Sequence, residues 1–304
     1  HRDLHSFPTR RSSDLGDMMA HLTSYADKTK QVSDHLLDSN TTDKENFHKK
    51  IFMLIRNQSG HDFSKYKSSM INRRIERRLA VNQVDNMGDY IKVLQNKPAE
   101  IQVLVKDLLI GVTSFFRDED DFLKLEQKII PMLFENNNPN AKIKVWCAGC
   151  STGEEAYSIA ILIHEYMEKS NNKHTIQIFA TDIDHNALEI ARAGVYSRNV
   201  ISDLTSERLN KCFIVDPDND TYRIVQSIRE MLIFSEQSLI KDPPFSKLDL
   251  ISCRNLLIYL SSDLQKKIIP LFHYALKPKG VLFLGISETI GNYETQFEVL
   301  DQKL

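Results

Sequence analysis

One stretch constrains the fold more than any other: residues 142–163, KIKVWCAGCSTGEEAYSIAILI. An apolar, strand-prone run through Ile143, Val145 and Trp146 ends abruptly in the small residues of Cys147 to Gly153. A helical pattern follows at once, with Ala156, Ile159, Ala160 and Ile163 at i, i+3, i+4 and i+7. Strand, glycine-bearing turn and helix form the first unit of a nucleotide-binding α/β sheet, because glycine lets backbone approach a ligand closely. Twenty-seven residues after Glu155, the apolar run TIQIFA ends in Thr181-Asp182. An acid at the end of the second strand is where such folds hold ribose hydroxyls. Together the two features point to an adenosine-containing cofactor.

The chemistry of the turn narrows the choice of cofactor. A dinucleotide site wants G-x-G-x-x-G and a helix N-terminus free to meet pyrophosphate. Here the glycines are Gly149 and Gly153, and the helix opens with Glu154-Glu155. Two carboxylates there would repel a phosphate. A cofactor carrying positive charge suits them better, and S-adenosylmethionine carries an ammonium and a sulfonium. The plainer alternative is an ordinary strand-turn-helix with a polar cap.

From Glu45 to Ile110 the pattern is helical: Phe47, Ile51, Leu54 and Ile55 mark one helix, and Ile101, Leu104, Val105 and Leu108 another. From Lys142 onward strands and helices alternate, as in a mainly parallel sheet covered on both faces. The expected strands are Ile143–Cys147, Thr175–Ala180, Leu232–Ser235, Leu248–Cys253 and Val281–Gly285. Residues 196–230 break that rhythm, and FIVDPDNDTYRIV reads as two short strands around an acidic turn. Residues 1–15, HRDLHSFPTRRSSDL, read as an appendage, and DSNTTDKEN as a linker. Net charge is −2, so no global basic field argues for nucleic acid. The longest unbroken aliphatic run, Ile159 to Ile163, is too short to span a bilayer. Four cysteines without a secretion signal point to a reducing, cytoplasmic setting.

Several separated segments carry a family resemblance: YKSSMINRRIERRLA, LLIGVTSFFRD, WCAGCSTGEEAYSIA, FATDID, LISCRNLLIYL and LFLGISETI, in that order. Over about residues 43 to 304 the chain resembles CheR, the chemotaxis receptor protein-glutamate O-methyltransferases. The resemblance implies an α/β fold: a class I, Rossmann-like S-adenosylmethionine methyltransferase sheet with a small antiparallel β insertion, preceded by an all-α N-terminal domain. It divides the chain into 1–42 as appendage and linker, 43–120 as the helical domain and 121–304 as the methyltransferase domain. CheR-like domains occur fused behind CheB-like methylesterases, and GDMMAHLTSYA fits the tail of one. The family would also add a last strand after FEVLDQKL.

Matching motifs assign expected roles. Thr113 and Arg117 would line the cofactor, with Arg117 facing its methionine carboxylate, a group that a guanidinium pairs bidentately. The alternative for Arg117 is a surface ion pair with Asp118 or Glu119. Glu155 would take the ammonium and Asp182 the ribose hydroxyls, while Asn255 and Leu256 would sit near adenine or the methionine end. Ser238, in FSEQSLI, stands where family members often carry asparagine. Arg254 and Tyr259 would orient the substrate carboxylate. Between His61 and Ala80 six Lys/Arg stand against two acids, and Arg73, Arg74, Arg77 and Arg78 share one arc of a helix, with Ile71, Ile75 and Leu79 on another. A charge run is usually a solvated face. With the resemblance, the arc becomes a docking stripe for an acidic, glutamate-bearing chemoreceptor helix. The turn Asp216–Asp220 contains no glycine, so the pentapeptide tether of some family members is not expected.

Two look-alikes are set aside on chemical grounds. Cys147-x-x-Cys150 resembles a redox motif, but Glu154 and Glu155 would raise a thiol pKa rather than lower it. Asp242-Pro243-Pro244-Phe245 resembles the DPPF of adenine methyltransferases, but it precedes LDLISC and reads as a turn launching that strand. A nucleic-acid methyltransferase using the basic helix, and a cofactor-sensing module without turnover, remain the alternative functions.

Overall fold

The computed structural model describes residues 41–135, 137–138 and 141–300, so the expectations for residues 1–40 lie outside it. The chain forms two compact units that divide between Leu109 and Ile110, where the sequence reading had drawn the boundary at 120.

Among the described residues the first unit holds four helices: α1 (Thr41–Ser59), α2 (Ser68–Val81), α3 (Met87–Asn96) and α4 (Pro98–Leu108). Helix α1 begins inside the stretch expected to be a linker. Thr and Asp there are residues that open helices as readily as they fill loops. Asn86 caps α3 by accepting the Asp89 N–H at 2.9 Å, and Pro98 starts α4 where a missing N–H costs nothing. Ile51 and Ile55 of α1, Ile71, Ile75 and Leu79 of α2, and Leu104 of α4 are closed off from solvent. Those are the i, i+3/i+4 positions of the sequence pattern.

The second unit is built on a five-stranded, wholly parallel sheet of order β6-β2-β1-β7-β8. Its strands are β1 (Lys142–Ala148), β2 (Thr175–Asp182), β6 (Leu232–Glu236), β7 (Leu248–Cys253) and β8 (Leu276–Leu284). Before the sheet, α5 (Glu119–Lys124) passes through a π turn (Leu125–Ile129) into α6 (Ile130–Glu135). Helix α7 (Glu154–Ser170) follows β1, α8 (His185–Ala193) follows β2, and α11 (Ser262–Ala275) precedes β8. Ala156, Ile159, Ala160 and Ile163 of α7 are fully buried, and all six residues of β7 are buried. A strand covered on both faces has no polar alternation to show.

Strand β8 starts five residues earlier than expected. Leu276 already pairs with Leu248, with a register shift before Leu250 meets Val281. Pro278 and Gly280 lie within this early part of the strand, where the irregularity in the ladder absorbs them. The insertion is a three-stranded antiparallel sheet of order β3-β5-β4, made of β3 (Val195–Ser197), β4 (Phe213–Asp216) and β5 (Thr221–Ile224). Helix α9 (Ser206–Cys212) leads into β4, and α10 (Gln226–Arg229) follows β5. Three residues of β3 are too few to show a period, which is why only two strands were expected. Among the described residues no helix is long and apolar enough to cross a membrane.

Candidate functional site

The carboxyl ends of β1, β2 and β7 meet around the turn Ala148–Gly153, the place where open parallel sheets bind ligands. Gly149 has φ +78, a conformation that strains any residue with a side chain, and a Cβ there would stand 2.8 Å from Leu256 Cδ2, so glycine lets the turn pass close beneath that leucine. The Gly149 and Cys150 amides donate to Thr181 O at 2.8 and 2.9 Å, which ties the turn to the end of β2.

Asp182 closes this turn from β2. Its carboxylate accepts the Ser151 N–H at 2.7 Å and the Asp184 N–H at 2.9 Å. Burial pushes its carboxyl up from the usual range, against the pull of those amides. Glu155, in the first turn of α7, accepts from Ser252 Oγ at 2.8 Å and from the Cys147 thiol at 3.1 Å. Burial also raises its carboxyl, and Arg254, 3.9 Å away, opposes the rise. Glu154 turns elsewhere: it accepts from Thr152 Oγ1 at 2.6 Å and is raised by burial. Two half-buried acids hydrogen-bonded by neutral donors thus flank the glycine turn. That donor set fits a cationic, ribose-bearing ligand, the chemistry of S-adenosylmethionine.

The FFRD segment is anchored by its backbone. Phe116 and Asp118 have φ +51 and +60, a costly conformation for such residues. The Phe116 N–H donates to Ser158 Oγ at 2.9 Å, and the guanidinium of Arg208 lies 4.3 Å above the Phe116 ring. Arg117 is half-buried and donates to Val112 O at 2.7 Å; Thr113 is half-buried beside it. A cavity of about 300 Å³ opens at this segment, lined by Ser114, Phe116, Arg117, Asp118, Glu126 and Arg208 among others.

Arg254 requires a correction. Its side chain has no exposed surface. It donates to Arg117 O, Asp118 Oδ2 and Asp121 Oδ2, each at 3.0 Å, and its guanidinium packs against the rings of Phe122 and Phe283. A guanidinium so enclosed cannot reach a substrate carboxylate. It clamps the end of β7 to the FFRD turn. Tyr259 is half-buried on a 3₁₀ turn, Leu257–Tyr259, and its N–H donates to Leu256 O at 3.1 Å.

Ser238 follows Gln237, whose N–H donates to Asp182 O at 3.0 Å, but its own hydrogen bonds serve a turn. Its N–H donates to Asp242 Oδ2 at 2.7 Å, and Gln237 Nε2 donates to Pro243 O at 2.8 Å. The turn closes at Asp242, Pro243 to Phe245 run on as irregular chain toward β7, and Phe245 stacks on Phe179 with centroids 4.1 Å apart. Cys147 and Cys150 are buried, and burial followed by Glu155 or Asp182 raises both thiols well above their usual range. Such thiols are inert, which disposes of the redox reading.

The basic stripe divides in two. Arg73 and Arg77 are exposed and Arg74 is half-buried. Arg78, expected on the docking face, turns inward: it meets Glu100 through Nε at 2.8 Å and Nη2 at 2.7 Å. The same carboxylate accepts from Tyr90 OH at 2.9 Å and Asn82 Nδ2 at 2.8 Å. Helix geometry put four arginines on one arc, but that arc is wider than the exposed face.

Residues 48–109 match the family model described as CheR methyltransferase, all-alpha domain, and residues 111–304 the one described as CheR methyltransferase, SAM binding domain. Over 242 residues the chain is 38% identical to an uncharacterized 104.1 kDa protein in the hypE 3′ region of Rhodobacter capsulatus, covering 80% of this chain and 25% of that protein. It is 33% identical over 255 residues to a chemotaxis protein methyltransferase of Borreliella burgdorferi, covering 82% of this chain and 90% of that one. With a chemotaxis protein methyltransferase of Salmonella typhimurium the identity is 31% over 264 residues, covering 84% and 87%. The chain thus spans a quarter of the first relative's length and most of the other two.

Proposed function

Because this chain belongs to the CheR methyltransferase family, we propose that it methylates glutamate side chains on the cytoplasmic helices of chemoreceptors, giving glutamate methyl esters and S-adenosylhomocysteine. The observation that carries the reading is the pair Glu155 and Asp182, half-buried beside the Gly149 turn within a matched cofactor-binding domain. Bound S-adenosylmethionine supplies an electrophilic methyl on a sulfonium.

The residues divide the work as follows. Asp182 offers its carboxylate to ribose hydroxyls and Glu155 offers its own to the ammonium. Arg117, with Thr113 beside it, pairs with the cofactor's carboxylate through a half-buried guanidinium. Leu256 closes the cleft over Gly149, and Asn255, packed beside Gly285, is its neighbour toward adenine or the methionine end. Ser238 stays a weaker candidate for the adenine end, since its atoms serve the Asp242 turn. Arg254 acts through others, as a positioning residue that holds the Arg117 carbonyl and Asp118. Tyr259, half-buried on its 3₁₀ turn, is left to orient the substrate carboxylate.

A glutamate carboxylate is ionised at neutral pH, so its attack needs no general base. Alignment of the reactants and partial desolvation of the carboxylate carry the rate. A flat pH dependence of kcat near neutrality is expected, and a sharp bell there would count against this mechanism. Exposed Arg73 and Arg77, flanked by Arg74, steer an acidic receptor helix.

The test is transfer of labelled methyl from S-adenosylmethionine to chemoreceptor-containing membranes, followed by mild alkali. Label released as methanol supports a carboxyl ester. Label that survives alkali sinks the glutamate reading in favour of a methylated base or nitrogen. Cofactor binding with no transfer to any receptor favours a sensing module.

A further inference from the structure

The loop leaving β7 carries Asn255, Leu256 and Tyr259, and it leaves the strand in a strained way: Asn255 has φ +55. Four successive amides, Asn255 to Ile258, converge on one carboxylate, that of Glu288 in the segment after β8. Glu288 Oε1 accepts from Leu256 at 2.8 Å, Leu257 at 2.6 Å and Ile258 at 3.4 Å. Its Oε2 accepts from Asn255 at 2.8 Å and from Gly285 at 2.9 Å. A carboxylate has about four lone-pair positions, so this one is fully used. The three-residue 3₁₀ turn cannot satisfy its own leading amides, and an unmet buried N–H is costly. On the carbonyl side, Gln265 Nε2 donates to Leu257 O at 2.7 Å and Leu260 O at 3.1 Å.

The consequence reaches the cofactor cleft through Leu256. Its Cδ2 lies so close above Gly149 that a Cβ there would be 2.8 Å away. The height of the loop over the glycine turn is therefore set where the loop amides are gathered. We infer that Glu288 is a positioning residue for the cofactor cleft: its carboxylate binds the Asn255–Ile258 amides as a nest binds an anion, and thereby holds Leu256 over Gly149. This rests on the proposal that the Gly149 cleft takes S-adenosylmethionine. Because both oxygens are spent on amides, Glu288 acts on the shape of the cleft and not by touching the cofactor's cation.

Three measurements on the full chain test it. First, amide hydrogen exchange without cofactor compares the wild type with Glu288→Gln, whose amide turns a donor toward part of the nest. Exchange at residues 255–258 should accelerate about ten- to a hundredfold, while amides of β1 stay protected. Unchanged exchange in the loop overturns the tether, and this arm stands whatever the chain binds. Second, calorimetric Kd values for S-adenosylmethionine and S-adenosylhomocysteine should both weaken in Glu288→Gln by about ten- to a hundredfold. Equal affinity with wild type, or loss for the sulfonium compound alone, overturns positioning. If wild type binds neither compound, the methyltransferase reading fails while the exchange result still judges the tether. Third, sodium formate, against sodium chloride at equal ionic strength, should restore S-adenosylhomocysteine affinity several-fold to Glu288→Ala and leave wild type unchanged. If either variant folds poorly, formate-dependent recovery of the melting transition of Glu288→Ala is the readout. No recovery there overturns the nest.

Discussion

In the helical unit Glu100 is buried and met by a bidentate arginine, a tyrosine and an asparagine, whereas in the α/β unit Glu155 and Asp182 are half-buried and hydrogen-bonded by a hydroxyl, a thiol and backbone amides, with Arg254 no nearer Glu155 than 3.9 Å. The electrostatics differ in sign. Burial pushes the Glu100 carboxyl up, but Arg78, Tyr90 and Asn82 outweigh it and the net direction is down. For Glu155 and Asp182 burial wins and the direction is up. A carboxylate neutralised by its own fold serves as a lock. One satisfied by neutral donors still wants a cation, and at the carboxyl edge of a parallel sheet that cation is a ligand's.

The comparison breaks first at Arg254, the cation enclosed by Asp118, Asp121 and Glu155. Arg254→Met leaves three carboxylates without it and should cost about 3–5 kcal/mol in urea unfolding, abolishing cofactor binding with it. If the variant unfolds like wild type, the clamp is unimportant. Arg78→Met, the counterpart in the helical unit, should cost about 2–3 kcal/mol, less because the pair sits nearer solvent. Its Kd for S-adenosylhomocysteine should stay at the wild-type value; a changed Kd would erase the distinction between lock and ligand site.

Asp182→Asn should do the reverse. Stability should fall by only about 1–2 kcal/mol, because the amide keeps one of the two backbone N–H bonds and turns a donor toward the other, while cofactor Kd rises about tenfold or more. The pH response sharpens the contrast further. Glu155, raised in the fold, contributes stability that is present below its unfolded pKa and lost as pH rises through its folded one. Glu100, lowered in the fold, contributes stability that is present above its unfolded pKa and lost as pH falls through its folded one. Cofactor affinity should therefore decline on acidification earlier than for an ordinary carboxylate, and Glu155→Gln should flatten that decline. The smallest effect expected is on the surface: Arg73→Glu with Arg77→Glu should raise KM for receptor about three- to tenfold, less at high salt, leaving cofactor Kd alone.

Much of the fold was legible because it was written in short periods. The apolar spacing in 142–163 predicted β1, the turn and α7, and Ile71, Ile75 and Leu79 predicted the buried face of α2. Asp182 could be read from its place at the end of a strand. The opening of α1 and the early start of β8 were misread, since Thr, Asp, Pro and Gly look alike in a loop and in a cap or bulge. The missing glycine in the Asp216–Asp220 turn is likewise less telling than it looked, because Asp220 takes φ +47 itself. Glu288 gave only a faint signal, an acid just past a strand in LFLGISETI.

By itself the sequence determined the element order, the parallel sheet, the glycine turn and the acids beside it, because periodicity and turn preference act between near neighbours. Tertiary structure alone decided what the charged side chains do. Arg254 finds Asp121 133 residues away, Glu288 finds Leu256 32 residues away, and Arg78 turns to Glu100 across 22. A charge in a folded interior takes its role from whichever partner offsets its desolvation, and no local pattern records which partner the fold will bring.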